Sequence, residues 1–183
     1  QSAPAREEAV ASLLKGAAAL VHETEPQTLQ WIALRADASH FAIVDFFPGP
    51  EGRAAHFAGK VAAALKAAAP QAVQGGWDKG VAANVENSQV LSYSVNGYEP
   101  SRAKLATRIE IVAKAGKAGE LAALLTGAGN VIRDTEPGTL LWYAIRISPT
   151  RFAIFDVFEN EEARTAHFAG KVAAALKGKS AAL

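Results

Sequence analysis

Two stretches decide the fold: Glu25-Pro26-Gln27-Thr28-Leu29-Gln30-Trp31-Ile32-Ala33-Leu34-Arg35 and Glu136-Pro137-Gly138-Thr139-Leu140-Leu141-Trp142-Tyr143-Ala144-Ile145-Arg146. They agree at Glu, Pro, Thr, Leu, Trp, Ala and Arg, and they lie 111 residues apart. The same offset holds outward in both directions. Residues 15–66 align with 126–177 without a gap, with 29 of 52 positions identical. Phe41-Ala42-Ile43 and Asp45 return as Phe152-Ala153-Ile154 and Asp156, and the run His56–Lys66 returns unchanged as His167–Lys177. A repeat this long exceeds a solenoid unit and matches a small domain, so the chain is a tandem duplication.

Bulk composition narrows the function classes. Half of the 183 residues are apolar and a fifth are charged, with a net charge of +1. That balance supplies core material for two modules and gives no basic field for nucleic acid or an anionic membrane. There is no cysteine, which excludes disulfides, thiolate metal sites and a cysteine nucleophile. No ligand cluster for a metal stands out either. No run approaches the roughly 18 apolar residues of a membrane span. The chain lacks methionine, so Gln1 is read as lying inside a longer gene product. The expected location is cytoplasmic, although Gln1-Ser2-Ala3 is also compatible with a removed signal.

Periodicity gives the elements. In the second copy, 107–113 alternates as a strand, and Lys114–Gly119 is a turn. Leu121, Leu124, Leu125, Ala128, Val131 and Ile132 then form a helical stripe ended by Glu136-Pro137-Gly138. Strands are expected at 139–147 and 151–158, followed by one helix over 161–177 with acidic residues first and basic residues last. The first copy repeats this order: a helix over 6–22, strands over 28–36 and 41–47, and a helix over 52–69. Its last strand is expected at Gln89–Val95. The resulting division is a first module over 1–96 without its first strand, a linker over 97–104, and a second module over 105–183 without its last strand.

Strands and helices in the order β-α-β-β-α-β make an α+β, ferredoxin-like module. Helices on one sheet face leave the other bare. With the tryptophans assigned to that bare face, the natural cover is the second module, which closes an α+β barrel within one chain. The chain is then a pseudo-dimer by itself, and pairing into a homodimer is the open alternative.

Glu136-Pro137-Gly138-Thr139-x-x-Trp142, then Pro149-Thr150-x-Phe152-x-x-Phe155-Asp156, then Glu162-Ala163-Arg164-x-Ala166-His167-Phe168 resembles the antibiotic biosynthesis monooxygenase (ABM) domain family of dimeric α+β barrels. The resemblance covers most of both copies. It implies cofactor-independent oxidation of a small quinol- or anthrone-like aromatic by O₂ in an apolar cavity, with no cofactor and no metal. The sequence departs from the family in two ways. Gln27 and Gly138 stand where some family oxygenases use asparagine. Along the second helix, His56/Lys66 and His167/Lys177 stand where haem-degrading relatives use a Trp and a His.

Chemistry of that kind needs a stacking surface, a proton acceptor and a donor or cation for the developing oxyanion. Trp31 and Trp142 supply the ring and an indole N–H. Arg35 and Arg146 are candidates for holding an enolate or phenolate, and Asp45 and Asp156, set among aromatics, for accepting a proton. His56 and His167 complete the candidate set. The structural alternatives are specific: tryptophans as core fillers, Arg paired with Asp as a structural ion pair, and the histidines on a solvated stripe with Arg53/Lys60 and Arg164/Lys171. A non-catalytic barrel that binds a small hydrophobic molecule or serves in assembly is the competing function, and an oxygen-independent isomerase or lyase a third. The second copy keeps Gly138 and Tyr143 where the first has Gln27 and Ile32, so activity is expected to be stronger there.

Overall fold

The computed structural model describes residues 1–183, which form two compact α+β units, Gln1–Val85 and Glu86–Leu183. In the first unit, α1 (Glu7–Thr24) precedes the hairpin β1 (Gln30–Arg35) and β2 (Phe41–Phe46), then α2 (Pro50–Phe57), α3 (Lys60–Ala72) and the short α4 (Gly76–Gly80). Its sheet has two antiparallel strands, with Trp31 opposite Asp45. Val10, Leu14, Ala17 and Val21 of α1 recur at helical spacing and pack with Trp31, Val61 and Ala72.

The second unit contains β3 (Gln89–Val95), β4 (Leu105–Val112), α5 (Ala118–Thr135), β5 (Thr139–Arg146), β6 (Arg151–Phe158), α6 (Glu161–Phe168) and α7 (Lys171–Lys179). Its antiparallel sheet has the order β3-β5-β6-β4. Within it, β4, β5 and β6 are arranged as the first three strands of a ferredoxin-like module, and α5, α6 and α7 provide the helices. Leu121, Leu125 and Ile132 of α5 are fully buried against Trp142, Ala144, Phe152 and Ile154. Burial of each such side chain is worth about 1.5–3 kcal/mol.

Three sequence expectations are corrected. Gln89–Val95, expected to close the first module, is an edge strand of the second unit's sheet, and the units divide at Val85/Glu86 rather than within 97–104. The strand is held there by pairing from Gln89↔Arg146 to Val95↔Leu141, by Tyr93 stacked on Tyr143 at 5.6 Å, and by the Ser92 hydroxyl donating to the Leu125 carbonyl at 2.6 Å. Gly129 makes the approach of α5 feasible, since a Cβ there would stand 2.6 Å from the Tyr93 carbonyl oxygen. The first module has Ala18 at the equivalent position and no strand beside β1 other than β2.

Second, the tryptophans do not lie on the sheet face turned away from the helices. Trp142 shares its face with Ala144, Phe152 and Ile154, which α5 and α7 cover. Third, the last helix of each copy is two helices. The chain is extended at Gly59 (φ −78°, ψ 176°) and Gly170 (φ −71°, ψ 173°), which cap α3 and α7. No helix of the chain is long and apolar enough to cross a membrane.

Candidate functional site

Directly opposed residues of an antiparallel pair share a face, with Cβ atoms roughly 4.5–5.5 Å apart. Trp142 on β5 and Asp156 on β6 are opposed in this way, and both are 0 % exposed. The Trp142 indole N–H has no hydrogen-bond partner, and the Asp156 carboxyl group meets only loose polar contacts, His167 Nε2 at 3.3 Å and the Thr107 hydroxyl on the facing strand β4. Orphaned groups of this kind are costly in a core, at about 1–3 kcal/mol each, and are therefore informative. Burial raises the Asp156 pKa above its ordinary value, and His167 opposes that rise without cancelling it.

His167 reaches this pair from α6. Asn160 caps that helix, its side-chain oxygen accepting from Ala163 N–H at 2.9 Å, and Glu161 and Glu162 occupy the first turn. The imidazole is only 5 % exposed and lies between two carboxyl groups. Nδ1 is 2.6 Å from Glu136 Oε2, and Nε2 is 3.3 Å from Asp156 Oδ2, the longer and looser of the two contacts. Burial alone would lower the His167 pKa, but Asp156 and Glu136 outweigh it and push the value up to about 9. The ring is thus an imidazolium at neutral pH. The two carboxyl groups face opposite nitrogens of one ring and do not converge as ligands of a metal would.

A cavity of about 370 Å³ opens against Trp142 and His167, while Asp156 and Glu136 do not line it. Trp142 and His167 line it together with Ile109, Ile111, Ile154 and Leu176. Its walls are thus apolar apart from the imidazolium, the indole, Ser180 and two lysines, Lys114 and Lys177. Those lysines donate to backbone carbonyls, Lys114 to Ser180 and Ala181, and Lys177 to Phe168 at 3.0 Å. The volume lies within the range of small-molecule sites, roughly 300–1,000 Å³.

The first unit repeats the polar group. His56 Nδ1 is 2.5 Å from Glu25 Oε2, His56 Nε2 is 3.4 Å from Asp45 Oδ2, and the Trp31 indole N–H lacks a partner. Burial raises Asp45 too, with His56 opposing, but its side chain is 24 % exposed where that of Asp156 is sealed. A cavity in this unit, about 300 Å³, lies along α1 and α3, with Leu13, Gly16, Leu20, Val61 and Leu65 in its walls. Trp31 and His56 do not line it.

The structure therefore brings together Trp142, Asp156 and His167, and in the first unit Trp31, Asp45 and His56. It leaves the arginines out. Arg146, at the end of β5, donates to the carbonyls of Ser148 and Pro149 and stands over the Phe152 ring at 5.5 Å. Arg35 pairs with Glu8 at 2.8 Å and stands over Phe41. The expected Arg–Asp ion pair is replaced by a His–Asp contact because the arginines reach the hairpin turn at the other end of the strand. The histidines, expected on a solvated stripe, are buried because their carboxyl partners draw them inward.

Sequence reasoning missed Glu25 and Glu136, reading Glu136-Pro137-Gly138 only as a helix stop. A signal was present: Glu and Pro are identical in both copies although only proline is needed to end a helix.

No family model and no curated protein matches the chain. Among solved structures, a candidate monooxygenase of Fusobacterium nucleatum superposes with a TM-score of 0.79 at 18% identity, over 98% of this chain and 82% of that one. A second candidate monooxygenase, from Lactobacillus acidophilus, gives a TM-score of 0.72 at 12% identity, over 98% and 84% of the two chains. A protein of unknown function from Nitrosomonas europaea is 38% identical over 44% of this chain and 77% of its own, with a TM-score of 0.42. The first two likenesses establish a shared α+β fold over nearly the whole chain.

Proposed function

We propose that the chain is a cofactor-independent monooxygenase that oxidises a small quinol- or anthrone-like aromatic with O₂ in the cavity of the second unit. The observation that carries this reading is a cavity walled by Trp142 and the cationic His167, with the Trp142 indole N–H unpartnered and the sealed Asp156 carboxyl group reached through His167. A phenol or enol hydroxyl needs an acceptor for its proton and donors for the anion left behind, and these groups are of those kinds. Asp156 does not itself line the cavity, so the proton reaches it through His167, which takes the substrate's proton as it gives its own Nε2 proton to Asp156, whose raised pKa suits the task. As Asp156 becomes neutral its hold on His167 Nε2–H weakens, and that N–H turns with the Trp142 N–H to the new oxyanion. The carbanion form of the aromatic then transfers an electron to O₂, and recombination makes a C–O bond. For a methylene between two aryl rings, loss of water from the hydroperoxide leaves a ketone. Substrate CH₂ and O₂ become C=O and H₂O, so no external reductant is required.

A second reading has its own support. The Glu–His–Asp group of the first unit ties helix to sheet, and the cavity along α1 and α3 is not lined by its tryptophan or histidine, as for a structural anchor. On that reading the second unit binds a small hydrophobic molecule without transforming it. Oxygen uptake by chelator-treated protein with a panel of hydroquinones and anthrones separates the two. Uptake above the protein-free control that falls in the Trp31→Phe/Trp142→Phe double variant supports the oxygenase. No uptake with any of them, with ligand binding retained, favours the binding module.

A further inference from the structure

We propose that Glu136 is a positioning residue that fixes the orientation and the charge of His167, holding it as an imidazolium with Nε2–H directed at Asp156. The proposal rests on the reading of Asp156 and His167 as the proton-transfer pair and adds the group that sets their state.

Glu136 is built for this task at several levels. Its position closes α5, where its backbone N–H bonds to the Ile132 carbonyl at 2.9 Å. Its own carbonyl accepts from Thr139 N–H at 3.0 Å and from the Asn96 side chain at 3.2 Å. The Thr139 hydroxyl donates to Oε2 at 3.3 Å, the same oxygen that meets His167 Nδ1. The other oxygen, Oε1, lies against the start of α7, where a Cβ on Gly170 would come closer than 3.0 Å. The break between α6 and α7 thus gives the carboxylate its space, and a glycine at the break keeps that space open. A carboxylate at Nδ1 does two things: it selects the ring flip that turns Nε2 to Asp156, and it favours the protonated ring.

The arrangement occurs twice. Glu25, Thr28, His56 and Gly59 stand at the same offset from Glu136, Thr139, His167 and Gly170. The Thr28–Glu25 bond is 3.2 Å, and a Cβ on Gly59 would lie 2.5 Å from Glu25 Oε1. Some residues between them differ, Gln27 against Gly138 and Ile32 against Tyr143, while the four themselves are the same in both copies.

The groups facing the His167 ring are few. Glu136 comes from the end of α5, Asp156 from β6 and the Thr139 hydroxyl, 3.4 Å from Nδ1, from β5. The Phe158 and Phe168 rings pack on it with centroids 5.3 Å away. The cavity lysines Lys114 and Lys177 direct their ammonium groups to backbone carbonyls. Glu136 and Asp156 are therefore the two groups that can hold the charge, and Glu136 makes the shorter contact.

The test is nitrogen NMR of the His167 ring in the whole chain. In the native protein at pH 7.5 both ring nitrogens should give imidazolium shifts. Glu136→Gln should raise the acid constant of His167 at least tenfold, Gly170→Ala should do so without removing the carboxylate, and Glu136→Asp should restore part of the effect. Glu25→Gln should leave His167 unchanged, serving as the internal control. A native His167 that is neutral at pH 7.5 overturns the proposal without any variant, and so does an unchanged acid constant in Glu136→Gln. The readout does not depend on turnover. An imidazolium in a protein that consumes no oxygen would leave the positioning role standing and remove the oxygenase reading.

Discussion

Glu136 Oε1 lies where the Cβ of any residue other than glycine at position 170 would project, so one absent carbon keeps the carboxylate beside His167. Gly170→Ala should therefore destabilise the second unit by about 1–3 kcal/mol, the range for forcing extra atoms into a packed site. Gly127→Ala is the contrast. Gly127 sits on the exposed side of α5 with nothing within 4 Å of its missing Cβ, and alanine there should stabilise by roughly 0.5–1 kcal/mol. Urea unfolding of both variants gives the comparison, and equal effects would remove the argument from close approach.

The placement of β3 depends on another glycine. A Cβ at Gly129 would meet the backbone of Tyr93 at 2.6–3.1 Å. Gly129→Ala should push α5 away from β3 and cost about 1–3 kcal/mol. Amide hydrogen exchange should show the damage as faster exchange across Gln89–Val95, with β4 and β6 much less affected. Uniform exchange across the whole sheet would mean that the strand is held by other contacts.

The sign of the pH effect follows from His167. Its pKa is raised to about 9 from the ordinary 6.5, so its contribution to stability is complete below about 6.5 and is lost as pH rises through 9. The loss is at most about 3–4 kcal/mol. Asp156 acts with the same sign from the carboxylate range upward, because burial raises its pKa and its ionisation works against the fold. Unfolding free energies measured at pH 6.5 and 9.5 should differ more in the native chain than in His167→Asn. A native chain as insensitive as the variant over that window would contradict the buried imidazolium.

Much of the fold was legible because it rests on local periodicity. The stripe from Leu121 to Ile132 and the alternation through Trp142 and Ile154 decide helix and strand within a few residues. The destination of β3 was not legible, because Leu91, Tyr93 and Val95, alternating with Ser92 and Ser94, suit the edge of any strand equally well. What specifies it is a long-range approach, and its trace in the sequence is Gly129 against Ala18 and Tyr143 against Ile32. Asp156 and His167 were found as residue types, yet the link between them was misassigned to Arg146, since strand parity gives a face and not a distance. Glu136 was missed because a residue at a helix end has a local explanation that hides its side chain's partner.

The two tryptophans should differ in consequence. Trp142 lines the cavity of its unit and Trp31 does not line the cavity of the other. Trp142→Phe should lower turnover by about tenfold or more, the loss of one hydrogen bond to a developing anion. Trp31→Phe should change it less than twofold. Equal losses would place the chemistry outside the second unit or in both.

The most direct measurement is oxygen consumption and ketone formation from anthrone by chelator-treated native protein and by Asp156→Asn, a change that keeps the shape of the side chain and removes its basicity. The native chain should consume oxygen, matched by one ketone per O₂, and consumption should fall by about a hundredfold or more in the variant. Equal consumption by the two proteins, or none above the protein-free control in either, would contradict it.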